Sequence, residues 1–325
     1  MSEAAHKALV RLRRLHTVIA IVLTAFVIAG SVVMTPSDGV QAVILLVAVG
    51  LFGVPHGALD HLAGRSALES RLGHLWLPIF LLLYLAFCAG VILLWLQFPL
   101  VMLLSFLAVA TLHFGSEDAG PAEPDQALSR RCLWIRRGEI LGRGAMPIVV
   151  PSAVHPCEVG RIFDTLGLAS TPVTGEVLSL MIGATWPVLG ILLAPMVLDA
   201  VGRALQARST EPLSHLIELP VLAAALSLLP PLVGFVVYFV GWHAVRHTLA
   251  WVVRLNANNP IEGLMSFAQL ALPLTLATIA LGWGAWMWMD NAPTDRALQV
   301  IFVGLAALTF PHVALEVAVS ARSEH

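Results

Sequence analysis

Charge is what this sequence has least of. Only 12% of its 325 residues are Asp, Glu, Lys or Arg, about half the roughly 25% of an ordinary soluble domain. Such a chain has too few solvated groups to cover a water-exposed globule. Cysteine is scarce too. The three present, Cys88, Cys132 and Cys157, are an odd number and show no C-x-x-C spacing, which excludes a disulfide framework and a thiolate metal site. The formal net charge of -2 lacks the basic excess that a nucleic-acid partner needs. Neither G-x-G-x-x-G nor a P-loop is found, so no nucleotide-binding fingerprint is in view. There is no evident internal repeat and no low-complexity segment.

Long apolar runs are what the chain does have. It is 58% hydrophobic, with a mean hydropathy of +0.86. Several runs reach the about 20 residues that cross about 30 Å of hydrocarbon as a helix. The pattern predicts an all-α, polytopic transmembrane helix bundle of about 8–10 spans, forming one integral-membrane domain over 1–325. The ten expected segments are about 15–34, 40–61, 75–96, 100–117, 140–157, 176–201, 213–229, 232–254, 262–289 and 297–320. The fifth is the least regular, since it carries Arg143, Pro147 and Pro151. The stretch 116–139 reads as a polar cytoplasmic loop. Arginines and lysines alternate between connections, being dense before the first segment and after the second, fourth, sixth, eighth and tenth. By the positive-inside rule both termini are cytoplasmic, in the inner (cytoplasmic) membrane of the cell.

Inside this apolar chain lies Gly241-Trp242-His243-Ala244-Val245-Arg246-His247-Thr248. His243 and His247 are one helical turn apart and project from one face. Ionisable groups within hydrocarbon are costly and mark functional sites, and an i, i+4 imidazole pair is a natural bidentate clamp for Fe, Zn, Cu or Ni. His56, His113 and His312 also sit within apolar segments. With the boundaries above, the segments bearing His56, His113, His243 with His247, and His312 all run the same way. Their histidines fall at similar depth in the cytoplasmic half. His155 falls at the opposite end of its segment. A common site can therefore include His56, His113, His243, His247 and His312, but not His155.

Carboxylates follow these histidines at helical spacing: Asp60 after His56, Glu117 after His113, Glu316 after His312. One turn apart, each lies on its histidine's face and is placed to hold an imidazole, its own or a neighbour's, through the nitrogen that does not bind metal. Arg246 is expected as a countercharge for Asp60 or Glu316. Trp242, Trp251, Phe114, Tyr238 and the Trp283/Trp286/Trp288 group are the aromatic candidates for holding an apolar substrate. The last three fit better as interfacial tryptophans at a span end.

Pro55-His56-Gly57-Ala58-Leu59-Asp60-His61, His113-Phe114-Gly115, His243-Ala244-Val245-Arg246-His247 and Phe310-Pro311-His312, in that order on a polytopic chain, resemble the Brp/Blh family. These are the bacterial and archaeal β-carotene 15,15′-dioxygenases, which make retinal for microbial rhodopsins. The resemblance runs from about residue 40 to 316. It implies Fe(2+) held by the catalytic histidines His56, His113, His243 and His247, with His312 close to the site but outside the ligand set; Asp60, Glu117, Glu316 and Arg246 are the surrounding residues expected from the spacing above. It also implies β-carotene and O2 as substrates, two molecules of retinal as product, and a functional link to a retinal-binding rhodopsin. Four neutral imidazoles leave a ferrous ion its full charge and open positions.

Three rival readings make different demands. A membrane di-iron desaturase or hydroxylase calls for about eight histidines in paired boxes such as H-x-x-H-H, and none is present. A haem protein needs axial ligands on opposite faces of the ring, which an i, i+4 pair on one helix does not supply. A transporter with an intramembrane His/Asp/Arg path predicts no stoichiometric metal.

Overall fold

The computed structural model describes residues 3–119, 130–168, 173–207 and 216–323. The described residues are helical almost throughout. In chain order the helices are α1 (Glu3–Val33), α2 (Asp38–Ala48), α3 (Val54–Gly57), α4 (Asp60–Leu72), α5 (Trp76–Gln97), α6 (Pro99–Asp118) and α7 (Arg130–Val154). They continue with α8 (Pro156–Phe163), α9 (Val173–Ala207), α10 (Glu218–Leu228), α11 (Pro231–Tyr238), α12 (Val245–Leu255), α13 (Pro260–Trp288) and α14 (Pro293–Ser323). A helix satisfies its own backbone polar groups, which is why apolar chains in lipid take this form.

Seven of the described helical stretches are long and apolar enough to cross a membrane. Large apolar side chains such as Phe26, Leu82, Leu93 and Trp288 face outward from them, as expected of a surface in contact with lipid. The described residues of all ten expected segments are helical almost throughout, but three segments do not meet that measure. The helix α10 is short. The other two, α7 and the run from α11 to α12, carry arginines or histidines that lower their apolarity. Of the expected polar loop, 116–118 ends α6 and 130–139 opens α7. Residues 120–129 lie outside the described part.

One end of the bundle can be identified from its cross-links. The Trp95 indole, at the end of α5, donates to the Leu166 carbonyl at 3.0 Å, and Gln299, early in α14, donates to Thr165 O at 2.9 Å. At the start of α2, Asp38 pairs with Arg161. His155, just after α7, donates to Ser227 O near the end of α10. Thus α2, α6, α11 and α14 all begin at this end and run in the same direction. His155 stays here, whereas His56, His113, His243, His247 and His312 lie further along those four paths.

The helix α7 packs closely because its glycines leave room. A Cβ on Gly144 would lie 1.8 Å from the Thr111 carbonyl oxygen of α6, and one on Gly115 of α6 would lie 1.8 Å from Ile140 O. On the side facing α9, Cβ atoms at Gly138 and Gly142 would meet Leu192 O at 2.6 Å and the Leu193 side chain at 2.4 Å. Backbones brought together by small residues are the usual means of helix association in lipid, where no hydrophobic force acts between helices.

Two wide turns interrupt otherwise continuous helices. Val49–Gly53 forms a π-helical turn between α2 and α3, and Phe239–Ala244 forms another between α11 and α12. Pro55 has no N–H to give to a carbonyl one turn back, so the backbone ahead of it loses regular α-pairing. The two turns touch: a Cβ on Gly53 would meet the Phe239 ring at 2.7 Å. Such turns recur at functional sites. One of these immediately precedes His56 and the other contains His243.

Candidate metal centre

Five imidazoles meet where α3, α6, α12, α14 and the second π turn converge. Ring centroids are 5.6 Å apart for His56 and His243, 5.0 Å for His243 and His113, and 5.0 Å for His113 and His312. The circuit closes through His312 and His247 at 5.6 Å and His247 and His56 at 5.4 Å. His56 and His312 also face each other at 6.0 Å across it. Potential ligand atoms of His56, His113 and His312 lie within 4.8 Å of one another, and so do those of His247, His312 and Glu316. His113, His243, His247 and His312 are buried.

An oxygen acceptor lies within 4 Å of Nδ1 on each ring. His56 Nδ1 donates to the Gly53 carbonyl. Glu316 lies 3.2 Å from His113 Nδ1, Asp118 lies 3.8 Å from His243 Nδ1, and Glu117 lies 3.5 Å from His247 Nδ1. Asp60 is hydrogen-bonded to His312 Nδ1 at 2.7 Å. A carbonyl or carboxylate accepts, so it favours the tautomer with the proton on Nδ1 and the lone pair on Nε2. For His247 a second contact gives the same answer. The Trp251 indole, which only donates, points at its Nε2 at 3.2 Å. Among the described residues, His312 is the one ring of the five with carboxylates at both ends, Glu316 lying 3.5 Å from its Nε2.

The carboxylates serve neighbours. Asp60 follows His56 by one turn yet holds His312, Glu117 follows His113 yet faces His247, and Glu316 faces both His113 and its own His312. Arg246 takes no part in this. It pairs with Glu218 at 2.7 Å, donates to Thr17, and its guanidinium sits 5.1 Å from the Trp242 ring centroid. One residue short of His247 on the helix, it points about 100° away around the axis. Sequence reasoning expected Arg246 opposite Asp60 or Glu316. Glu218 had no recognisable signal beyond being a lone acid in an apolar segment.

Two tyrosines and two phenylalanines complete the surroundings. Asp118 reaches His243 on one side and accepts from Tyr238 Oη at 2.6 Å on the other. Tyr84 donates to Asp60 Oδ2 at 2.9 Å, which leaves Oδ1 for His312. Phe114 and Phe239 cover the ring of His243, at 4.7 and 5.8 Å between centroids. Among the other aromatic candidates, Trp242 and Tyr238 are buried in contacts with Arg246 and Asp118, while Trp283 and Trp288 are exposed.

Residues 47–319 match the sequence profile of the family described as β-carotene 15,15′-dioxygenase. The chain belongs to that family. It is 28% identical over 288 residues to a probable β-carotene 15,15′-dioxygenase of Halobacterium salinarum, covering 83% of this chain and 82% of that one. It is also 29% identical over 275 residues to the β-carotene 15,15′-dioxygenase of an uncultured marine bacterium, covering 83% of this chain and 90% of the relative. No solved structure matches. Every histidine and carboxylate of the cluster falls within the family-matched region; Thr17, a partner of Arg246, lies before it.

The residues present suit a first-row metal. Imidazole is a ligand of choice for iron, copper, zinc and nickel. His243 is fully buried, and neither of its ring nitrogens has a hydrogen-bond partner among the described residues. A buried polar atom left so is expensive; with Nδ1 turned toward Asp118 at 3.8 Å, a cation at the centre of the cluster would satisfy Nε2.

Proposed function

We propose that this protein cleaves the central double bond of β-carotene with O2, giving two molecules of all-trans-retinal, at a site where His56, His113, His243 and His247 hold Fe(2+). Family membership supports the reaction. The observation that carries the site is the closed circuit of imidazoles whose Nδ1 atoms face acceptors, which leaves the Nε2 lone pairs of His56, His113 and His243 for a metal. That of His247 accepts from the Trp251 indole, which has to turn aside when His247 binds the ion. A ferrous ion held there supplies the redox chemistry by which ground-state O2 reacts with an alkene. In balance, one C=C and one O–O bond break and two C=O bonds form, so no external reductant enters.

The work of the chain itself is positioning. Glu316, Asp118 and Glu117 fix the tautomer and tilt of their imidazoles and raise their basicity. Phe239, stacked on His243, and Phe114, edge-on to it, offer a hydrocarbon surface on which a polyene lies within reach of the histidines. The apolar lining excludes water, which protects the reacting centre and strengthens electrostatic interactions within it. Asp60 and Tyr84 secure His312 beside the four ligands, where it fills the remaining side of the circuit.

In this reading the substrate enters from lipid and the product serves a retinal-binding rhodopsin. The protein lies in the inner membrane with both termini in the cytoplasm, as the alternation of arginine and lysine suggests. Expression in a carotene-accumulating bacterium tests the activity. Chromatography should show β-carotene replaced by retinal, and purified protein should carry one iron per chain. Unchanged carotene beside correctly inserted, iron-loaded protein contradicts the reading.

A further inference from the structure

We propose that the apolar cavity beside the histidine circuit is a measuring slot. It takes one arm of the carotenoid, ring first, and a floor built by Val159 and Leu166 decides which double bond reaches the histidines. The inference rests on the reading that a carotenoid is the substrate. It adds how the cut is located.

The cavity holds about 820 Å³ of space free of protein atoms, counted with its open mouth and the solvent there. It borders the metal centre, because Phe114 and Phe239 line it and also cover His243. Along α6 its wall runs from Leu103 to Phe114, about 16 Å at about 1.5 Å per residue. That is comparable to an extended carotenoid arm from its ring to the central bond. Aromatic rings pave the middle, where Phe235 lies parallel to Phe239 at 5.3 Å and meets Phe302 at 5.4 Å. Ser152 also lines the cavity, but its hydroxyl is engaged with Ile148 O. Conjugated hydrocarbon fits these walls.

The floor is fixed. Val159 and Leu166 are both buried. The Leu166 carbonyl is held by the Trp95 indole, and the next residue, Gly167, has φ +107° and lies against Pro99. With the ring stopped there, the bond at the histidines is set by the length of the slot. Raising the floor by a few atoms draws the arm outward and brings the next double bond on the ring side to the histidines. Cleavage there breaks that C=C and the O–O bond and forms one ketone and one aldehyde. The products are an eighteen-carbon ketone and a twenty-two-carbon aldehyde, still from one O2, in place of two twenty-carbon aldehydes.

The test is the series Val159→Ala, Val159→Leu and Val159→Phe, expressed with β-carotene, with products resolved by chromatography and mass spectrometry. The Leu and Phe variants should raise the share of unequal products at least tenfold over the unsubstituted protein. Val159→Ala removes bulk only and keeps an active member in the series. Unequal products from either larger variant support the slot. Retinal as the sole product of every active variant overturns it, and shows instead that the cavity houses a lipid chain or nothing that bears on the cut. An unsubstituted protein that makes no apocarotenoid at all overturns the activity itself, which is a separate and prior result.

Discussion

Asp60 and His312 are 252 positions apart in the chain, yet Asp60 Oδ1 lies 2.7 Å from His312 Nδ1. The carboxylate sits one turn beyond His56 and so locks α4 to α14 beside the circuit of imidazoles. Asp60→Asn keeps the size of the side chain and removes its charge. Iron affinity or activity should fall by roughly 10–100-fold, with inserted protein recovered at an undiminished level. Iron titration of the purified variant is the check, and unchanged affinity with unchanged turnover contradicts this role.

The meeting of α6 and α7 should be intolerant of a single methyl group. A Cβ on Gly115 would lie 1.8 Å from a backbone oxygen, which is less free to move than a side chain. Gly115→Ala should lower thermal stability in detergent by about 1–3 kcal/mol or more, and should disturb the adjacent His113. Gly90→Ala is the control, since nothing lies within 4 Å of its added carbon. It should be neutral, or more stable by about 0.5–1 kcal/mol from helix propensity. Equal melting temperatures for the two variants would argue against this packing.

Glu218 stands between two arginines, with Arg246 at 2.7 Å and Arg143 at 3.5 Å. All three are buried. Glu218→Gln leaves both cations without that charge, and breaking a buried ion pair costs about 3–5 kcal/mol. A clear drop in melting temperature is expected, and the double substitution Glu218→Gln with Arg246→Met should recover part of it. A Glu218→Gln variant as stable as the parent would remove the network from any account of stability.

Much of this arrangement was legible in the sequence because helices are periodic. The depth at which each histidine sits on its helix, and the carboxylate one turn further, follow from spacing alone, and so did the exclusion of His155. What spacing leaves open is whose ring a carboxylate holds. Asp60 shares a face with His56, but that face also meets α14, and packing assigned it to His312. Arg246–Glu218 was not legible either, since nothing local joins α12 to α10. The π turns are hidden for a related reason: each is a single inserted residue, too short a change to stand out within a continuous apolar run. Asp118 was overshadowed by Glu117, although the wider turn at His243 brings it into reach.

Iron content in two histidine variants, measured side by side, tests the central claim most directly. His247 lies in the circuit, whereas His155 is hydrogen-bonded to Ser227 O at the opposite end of the bundle. His247→Ala should insert normally, lose most of its iron and stop producing retinal, while His155→Ala should keep iron near one per chain. Retinal production persisting in His247→Ala, or iron lost equally from both variants, would contradict the account.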